Sequence, residues 1–267
     1  MKEVNSYGWK AVIGSSIGYA MDGFDLLILG FMLTLISGDL GLTTGQAGSL
    51  VTWTLVGAVI GGFIFGTLSD KFGRVRVLTW TIVLFAVFTG LCAFAQGYWD
   101  LLIYRTIAGI GLGGEFGIGM ALAAEAWPAQ HRAKATSYVA IGWQLGVLAA
   151  ALLTPVLLPY IGWRGMFMVG IIPAFVAWFF RAKLHEPEIF VQSKETKGHS
   201  HTNSFKLLVK DVRTTKTSIG VAILTSVQNF GYYGIMIWLP NFLSKQLGFS
   251  LTKSGLWTAV TVCGMML

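Results

Sequence analysis

The sequence predicts an all-α polytopic membrane protein, and three observations predict it. Apolar residues make up 54% of the 267-residue chain and charged residues only 12%, against about 25% charged in a soluble domain. Mean hydropathy is +0.67. Apolar runs near the roughly 20 residues needed to cross a bilayer recur along the chain. Basic residues cluster in alternate connections. This composition excludes disorder, a basic nucleic-acid domain and a water-facing enzyme surface. Cys92 and Cys263 lie in apolar runs, so neither a disulfide framework nor a metal cage is expected.

The runs fall in order at 11–37, 46–68, 77–95, 100–125, 137–160, 166–180 and 219–243, with an eighth starting near 256. The first is too long and too acidic for a cleaved signal peptide. A polar stretch, 181–216, separates the sixth run from the seventh. The expected organisation is a six-helix half over 1–180, a linker over 181–216, and the start of a second half over 217–267, with helix 7 and part of helix 8. His199 and His201 in the linker have no Cys or paired acids at ligand spacing, so they are plain loop residues and no metal or cofactor is expected. A short apolar patch at 205–212 could lie on the membrane surface.

The basic residues give the orientation. Of 19, fifteen fall on the side of the N-terminus, three on the other side, and Arg105 lies within a run. Cytoplasmic loops carry the excess, so the N-terminus and the 181–216 stretch are expected in the cytoplasm of a cell-membrane protein. The net charge of +7 is then a topology signal and implies no nucleic-acid partner.

An internal repeat accompanies this pattern. Leu40-Gly41-Leu42-Thr43 recurs as Leu247-Gly248-Phe249-Ser250, and Ala47-Gly48 as Ser254-Gly255, at a constant offset of 207. The same offset sets Asp22 against Asn229 and Asp25 against Tyr232. Six spans separate the copies, so both run in the same direction, as in two six-helix halves related by an axis along the membrane normal. The remainder of a second half, about four helices, is expected beyond Leu267.

The connection between the second and third runs reads Gly66-Thr-Leu-Ser-Asp70-Lys71-Phe72-Gly73-Arg74-Val75-Arg76. A positive-inside turn explains its basic residues but not its ordered G-x-x-x-D-K-x-G-R-x-R. Here the sequence resembles the major facilitator superfamily, whose signature has this form in this loop. The resemblance covers the whole chain and implies the major facilitator fold. It also implies a conformational-gating role for Gly66, Asp70, Lys71, Gly73, Arg74 and Arg76.

Asp22-Gly-Phe-Asp25 lies mid-span in the first run. Acids at i and i+3 share a helix face, and ionisable residues at membrane depth are costly and usually functional. The stretch from Asp22 to Phe31 resembles the metabolite:proton symporters, especially the aromatic-acid and sialic-acid branches, which implies proton coupling at Asp22 and Asp25.

The fourth run carries Arg105, Gly109, Gly111, Gly113, Gly114 and Glu115. Gly109, Gly111 and Gly114 satisfy G-x-G-x-x-G, but a dinucleotide site needs a preceding strand. Inside an apolar span, small residues serve close helix packing instead. Arg105 and Glu115 are about 15 Å apart along a helix at 1.5 Å per residue, so each needs a partner elsewhere. Arg105 either binds a carboxylate substrate or neutralises Asp25. Glu115 is a third protonatable candidate. Gln228, Asn229 and Tyr232 in the seventh run and Gln144 in the fifth are candidate cavity residues, while Trp238 suits an interface or packing position. The fifth run lacks the Gly-Pro-rich pattern associated with antiporters of the superfamily, which leans toward symport. Glu186-Pro-Glu188 resembles a degraded acidic-Pro motif of the superfamily's sugar porters and marks a helix end.

With no nucleophile–His–acid set, P-loop or metal-ligand set, an enzyme or ATP-driven pump is not expected. The expected function is proton-coupled symport of a small organic anion by alternating access, with the anion, protons and lipid as partners. The alternatives are a sugar or organic-cation carrier and, from another class, a seven-helix receptor.

Overall fold

The computed structural model describes residues 6–181, 184–186, 190 and 209–266. Helices α1 (Ser6–Leu40), α2 (Thr44–Phe72), α3 (Arg74–Cys92) and α4 (Tyr98–Glu125) follow one another through short joints. A 3₁₀ turn, Ala129–His131, leads into the helical stretch Arg132–Arg181. That stretch breaks at Gly162, whose φ of 64° and ψ of −179° reverse the chain between α5 (132–161) and α6 (163–181). Then come α7 (Val212–Met236), α8 (Leu239–Leu247) and α9 (Leu251–Met266). No strand occurs among the described residues. Five helical stretches are long and apolar enough to cross a membrane, and the fifth, 51 residues long, contains the Gly162 break. At about 20 residues per crossing it spans twice.

α1 is the centre of the bundle. Every residue from 21 to 33 is buried, as expected for a helix apolar on all sides. It packs chiefly on α5, where glycines bring the two backbones together. A Cβ on Gly23 would stand 2.6 Å from the Trp143 carbonyl oxygen, and one on Gly146 would stand 1.8 Å from that of Ala20. The fourth-run glycines work the same way. Gly109 and Gly113 face the carbonyls of Thr54 and Ala58 on α2, while Gly111 faces Thr81 and Phe85 on α3. The G-x-G-x-x-G spacing thus lets α4 pack tightly between two helices. Large apolar side chains stay exposed on α3 and α6, among them Val83, Val87, Ile172 and Phe175, as a lipid-facing surface requires.

The joints define two ends, named here for Gly41 (α1–α2) and Gly73 (α2–α3). At the Gly41 end, Arg164 Nη1 bonds Asp39 Oδ2 at 2.5 Å, Trp163 Nε1 donates to the same oxygen at 3.0 Å, and Arg164 Nη2 donates to the Ala95 carbonyl at 3.2 Å. The Arg164 guanidinium therefore ties the end of α1 and the α3–α4 connection to the start of α6. The two copies of the repeat are built alike. Gly41 and Gly248 have φ of 62° and 65°. The Thr43 and Ser250 hydroxyls each accept from the backbone N–H three residues on, both at 3.2 Å.

Three boundaries differ from the sequence reading. The third helix starts at Arg74 rather than 77, so Gly73 alone separates it from α2. Asp211 caps α7 by accepting from the Thr214 N–H at 2.8 Å, so α7 starts at Val212, within the 181–216 stretch, rather than at 219. The seventh run is not one helix: it breaks between Met236 and Leu239, with Pro240 in the first turn of α8. Most of the 181–216 stretch, including His199, His201 and the greater part of the 205–212 patch, lies outside the described residues, as does Glu188.

Candidate functional site

A cavity of 1320 Å³ opens between α2 and α7, floored by α1, α4 and α5. Asp22, Gln228 and Asn229 line it, which brings three of the sequence-predicted residues together. Its walls also hold Tyr19, Phe116, Trp143 and Tyr233. Ring centroids of Tyr19 and Phe116, and of Tyr19 and Trp143, are each 5.0 Å apart. These separations suit aromatic pairs and leave a wall of rings beside one acid. Among the described residues that line it there is no Lys or Arg.

Asp25 and Arg105 sit one turn nearer the Gly41 end, buried to 0% exposure. Arg105 Nη1 donates to Asp25 Oδ1 at 3.0 Å. Nη2 stands 2.7 Å from Oδ2, an ion contact whose alignment is too poor for a directed hydrogen bond. The Phe167 ring lies 5.8 Å from the guanidinium. Of the two uses the sequence leaves open for Arg105, neutralising Asp25 is the one adopted in this structure. Neither residue lines the cavity.

Glu115 is also buried and away from the cavity. Its Oε1 accepts from the Thr81 hydroxyl at 2.7 Å, in the seam between α3 and α4. Gln144 does not line the cavity either; its Oε1 is buried without a hydrogen-bond partner. Tyr232 sits just off the lining and accepts a hydrogen bond from Trp143 Nε1 at 2.7 Å.

The predicted gating loop is a compact knot at the Gly73 end. Arg74 Nη1 donates to Ser69 Oγ at 2.6 Å and to Asp70 Oδ1 at 2.5 Å, while Nη2 donates to Glu125 Oε1 at 3.2 Å. One guanidinium thus joins α2, α3 and α4. The Glu186 carboxylate accepts from the backbone N–H groups of Arg74, Val75 and Arg76 at 2.7, 3.3 and 3.1 Å. It caps α3 from the chain beyond α6, where the helix dipole favours a negative charge. Gly73, at φ 112°, leaves room for it, since a Cβ there would stand 2.4 Å from Glu186 Oε1. Lys71 lies over the Phe72 ring, and Gly66 has open space around it.

Sequence reasoning missed Tyr19, Phe116, Trp143, Tyr233 and Glu125, and read Glu186 only as a helix end. The signal for Glu125 was an acid closing an apolar helix three residues before Pro128. The aromatics carried no signal, because rings in apolar runs are ordinarily lipid-facing or core.

Membrane-length helices thus surround a cavity walled by rings, with one acid in its lining, further buried ionisable residues beside it and a charged knot at one end. Residues 15–267 match the Major Facilitator Superfamily, and the chain belongs to that family. It is 78% identical over 269 residues to a Haemophilus influenzae protein provisionally named a metabolite transport protein, covering 99% of this chain and 66% of that one. It is 32% identical to the cis,cis-muconate transport protein of Acinetobacter baylyi, covering 99% and 65%. It is 33% identical to the sialic acid transporter NanX of Escherichia coli, covering 72% and 48%. The chain therefore spans less than two thirds of these relatives' length. Among solved structures, a D-xylose-proton symporter superposes with a TM-score of 0.76 at 23% identity, covering 98% of this chain and 67% of that one. That likeness shows the shared fold.

Proposed function

We propose that this chain belongs to a proton-coupled symporter of a small organic acid, working by alternating access. The observation that carries this reading is Asp22 in a cavity walled by rings and amides, with no cation among the described residues that line it. An organic anion entering beside an ionised Asp22 meets like charge in a medium of low dielectric. A proton on Asp22 removes that repulsion, so anion and proton bind better together than apart. Rings suit a flat or apolar body, and Gln228 and Asn229 offer donors to a carboxylate. The names of two relatives, muconate and sialic acid carriers, support an acid as substrate.

Asp25 and Arg105 form the second titratable element of the proposal. Protonating Asp25 frees the Arg105 guanidinium to attract an anion, so Arg105 serves as the substrate's counter-charge in another state of the cycle. Glu115, held by Thr81, is a third carboxyl at membrane depth. The Arg74 knot holds one state, and its release accompanies the other. The domain reading extends this: 1–180 forms one half, 181–216 the cytoplasmic linker, and 217–267 the start of the other half.

The test is uptake by the full-length protein in proteoliposomes under an imposed pH gradient, with cis,cis-muconate, benzoate, sialic acid and an organic-cation panel. Acids should accumulate when the lumen is alkaline. Asp22→Asn should lose accumulation while keeping exchange at equal concentrations. Accumulation of cations instead of acids, or normal pH-driven accumulation by Asp22→Asn, would overturn the reading. An organic cation would instead bind with Asp22 ionised, so the panel includes both classes.

A further inference from the structure

We infer that Lys71 and Arg76 form a site for an anionic phospholipid at the Gly73 end, with the headgroup phosphate on the two cations and an acyl chain along α3. The inference goes beyond the carrier reading and does not depend on it.

The residues of α3 divide by exposure into two faces. Its exposed residues are Arg76, Trp80, Val83 and Val87, and every other residue of the helix is buried or half-buried. At 3.6 residues per turn the four lie within about 60° of one another around the axis. At 1.5 Å per residue Trp80, Val83 and Val87 stand about 6, 10 and 16 Å beyond Arg76. α3 gives no residue to the cavity lining, and the described part of the second half packs chiefly on α1 and α5. The stripe therefore lies on a flank of the six-helix half away from both.

Along that flank the chemistry changes from a guanidinium, through an indole, to two valines. A phospholipid has the same order. The headgroup layer is about 5–7 Å thick on each side of the hydrocarbon core, which matches the step from Arg76 to Trp80. Trp is the residue favoured at that boundary, and the valines then meet the acyl chains.

The end of α2 completes the site. The Phe72 and Trp80 ring centroids are 5.7 Å apart, and Lys71 Nζ lies 5.4 Å from the Phe72 centroid. Lys71 from α2 and Arg76 from α3 thus flank one ring pair across the Gly73 joint. Both are exposed. Long basic side chains lay their stems along apolar surface while the charge reaches outward, so both can meet one headgroup.

Charge selects an anionic lipid. Arg74 is taken up by the knot, and the acids around it are engaged: Asp70 and Glu125 accept from Arg74, and Glu186 accepts from the first N–H groups of α3. Lys71 and Arg76, singled out by the same loop motif, point away from that knot to the surface. Basic residues at the end of membrane helices attract anionic headgroups. A free anion gains nothing from the rings and valines, whereas a lipid uses all of them.

The experiment uses the full-length protein with a bimane on Val83→Cys and its exposed cysteines, Cys263 among them, replaced by Ser. It is reconstituted in phosphatidylcholine vesicles containing phosphatidylglycerol with a nitroxide on its acyl chain, which quenches the bimane on contact. Quenching against lipid fraction gives the preference for phosphatidylglycerol at this position. Lys71→Gln with Arg76→Gln should lower that preference about twenty-five-fold, about fivefold for each cation. Arg132→Gln with Lys134→Gln removes the same charge from exposed positions of the same end and should leave it unchanged. A bimane on Ile172→Cys, exposed on α6, should show no preference. All substitutions are on the surface, and the fluorescence of unquenched protein checks that each variant is folded. Equal enrichment at positions 83 and 172, or equal loss in the two double variants, would reduce the site to general surface charge and overturn it. Loss of enrichment on adding inorganic phosphate at matched ionic strength would overturn it in favour of a free-anion site.

Discussion

Asp22 and Asp25 are three residues apart on α1, yet they meet different surroundings. Three residues turn a helix through about 300°, leaving the two side chains roughly 60° apart at 3.6 residues per turn. On a helix packed on all sides that angle is enough. Asp22 reaches the cavity, and Asp25 reaches Arg105 on α4. Their stability effects should therefore differ. Asp25→Asn leaves a fully buried guanidinium without its counter-charge, which costs about 3–5 kcal/mol, and should lower the unfolding temperature in detergent sharply. Replacing both partners, Asp25→Asn with Arg105→Gln, should recover much of that loss. Asp22→Asn should leave the unfolding temperature nearly unchanged. Equal melting of the two single variants would show that Asp25 is not held as the structure has it. The sequence singled out both acids but not their separation, because i, i+3 spacing is silent about which neighbour stands where. The same limit misled the reading of Gln144. The rotation of one residue, about 100°, gives the cavity wall to Trp143 instead.

The helices themselves were legible, and their joints were not. Hydropathy marks where a span is apolar, so polar first turns such as Arg74–Arg76 read as loop, although Glu186 satisfies their N–H groups. That cap comes from 110 residues or more along the chain, beyond any local rule. Glu186→Ala should destabilise by about 0.5–2 kcal/mol, the range for a lost N-cap, and should raise amide exchange at residues 74–76 more than elsewhere. Uniform exchange would mean that the cap is incidental. Close packing by glycine gives a sharper contrast. A Cβ on Gly61 would stand 1.9 Å from the Ile110 carbonyl oxygen, whereas one on Gly117 meets nothing within 4 Å. Gly61→Ala must push α2 and α4 apart, an overpacking cost of about 1–3 kcal/mol. Gly117→Ala should gain up to about 1 kcal/mol from helix propensity. Thermal unfolding of the two variants side by side decides the matter; equal shifts would refute a glycine-mediated α2–α4 contact.

At the scale of the whole molecule, charge and packing give two accounts of the same polarity. The Gly73 end gathers Lys71, Arg74 and Arg76, with Arg132 and Lys134 at the start of α5. The Gly41 end has Asp39 paired with Arg164 and no basic residue between 38 and 45 or between 96 and 99. Insertion retains Lys- and Arg-rich connections on the cytoplasmic side. The Gly73 end should therefore face the cytoplasm and the Gly41 end the exterior. The odd number of crossings between the two joints is consistent with either absolute orientation, so the charge asymmetry alone selects between them. Single cysteines at Ala133 and Gln96 test this, since both positions are exposed and neither substitution changes a charge. Cys263, which is exposed, is first replaced by Ser, while Cys92 is buried. An impermeant maleimide added to intact cells should label position 96 and spare position 133 until the membrane is permeabilised. The opposite pattern would invert the molecule. It would also place the Arg74 knot outside the cell and make the excess of basic residues around Gly73 a feature of that knot alone.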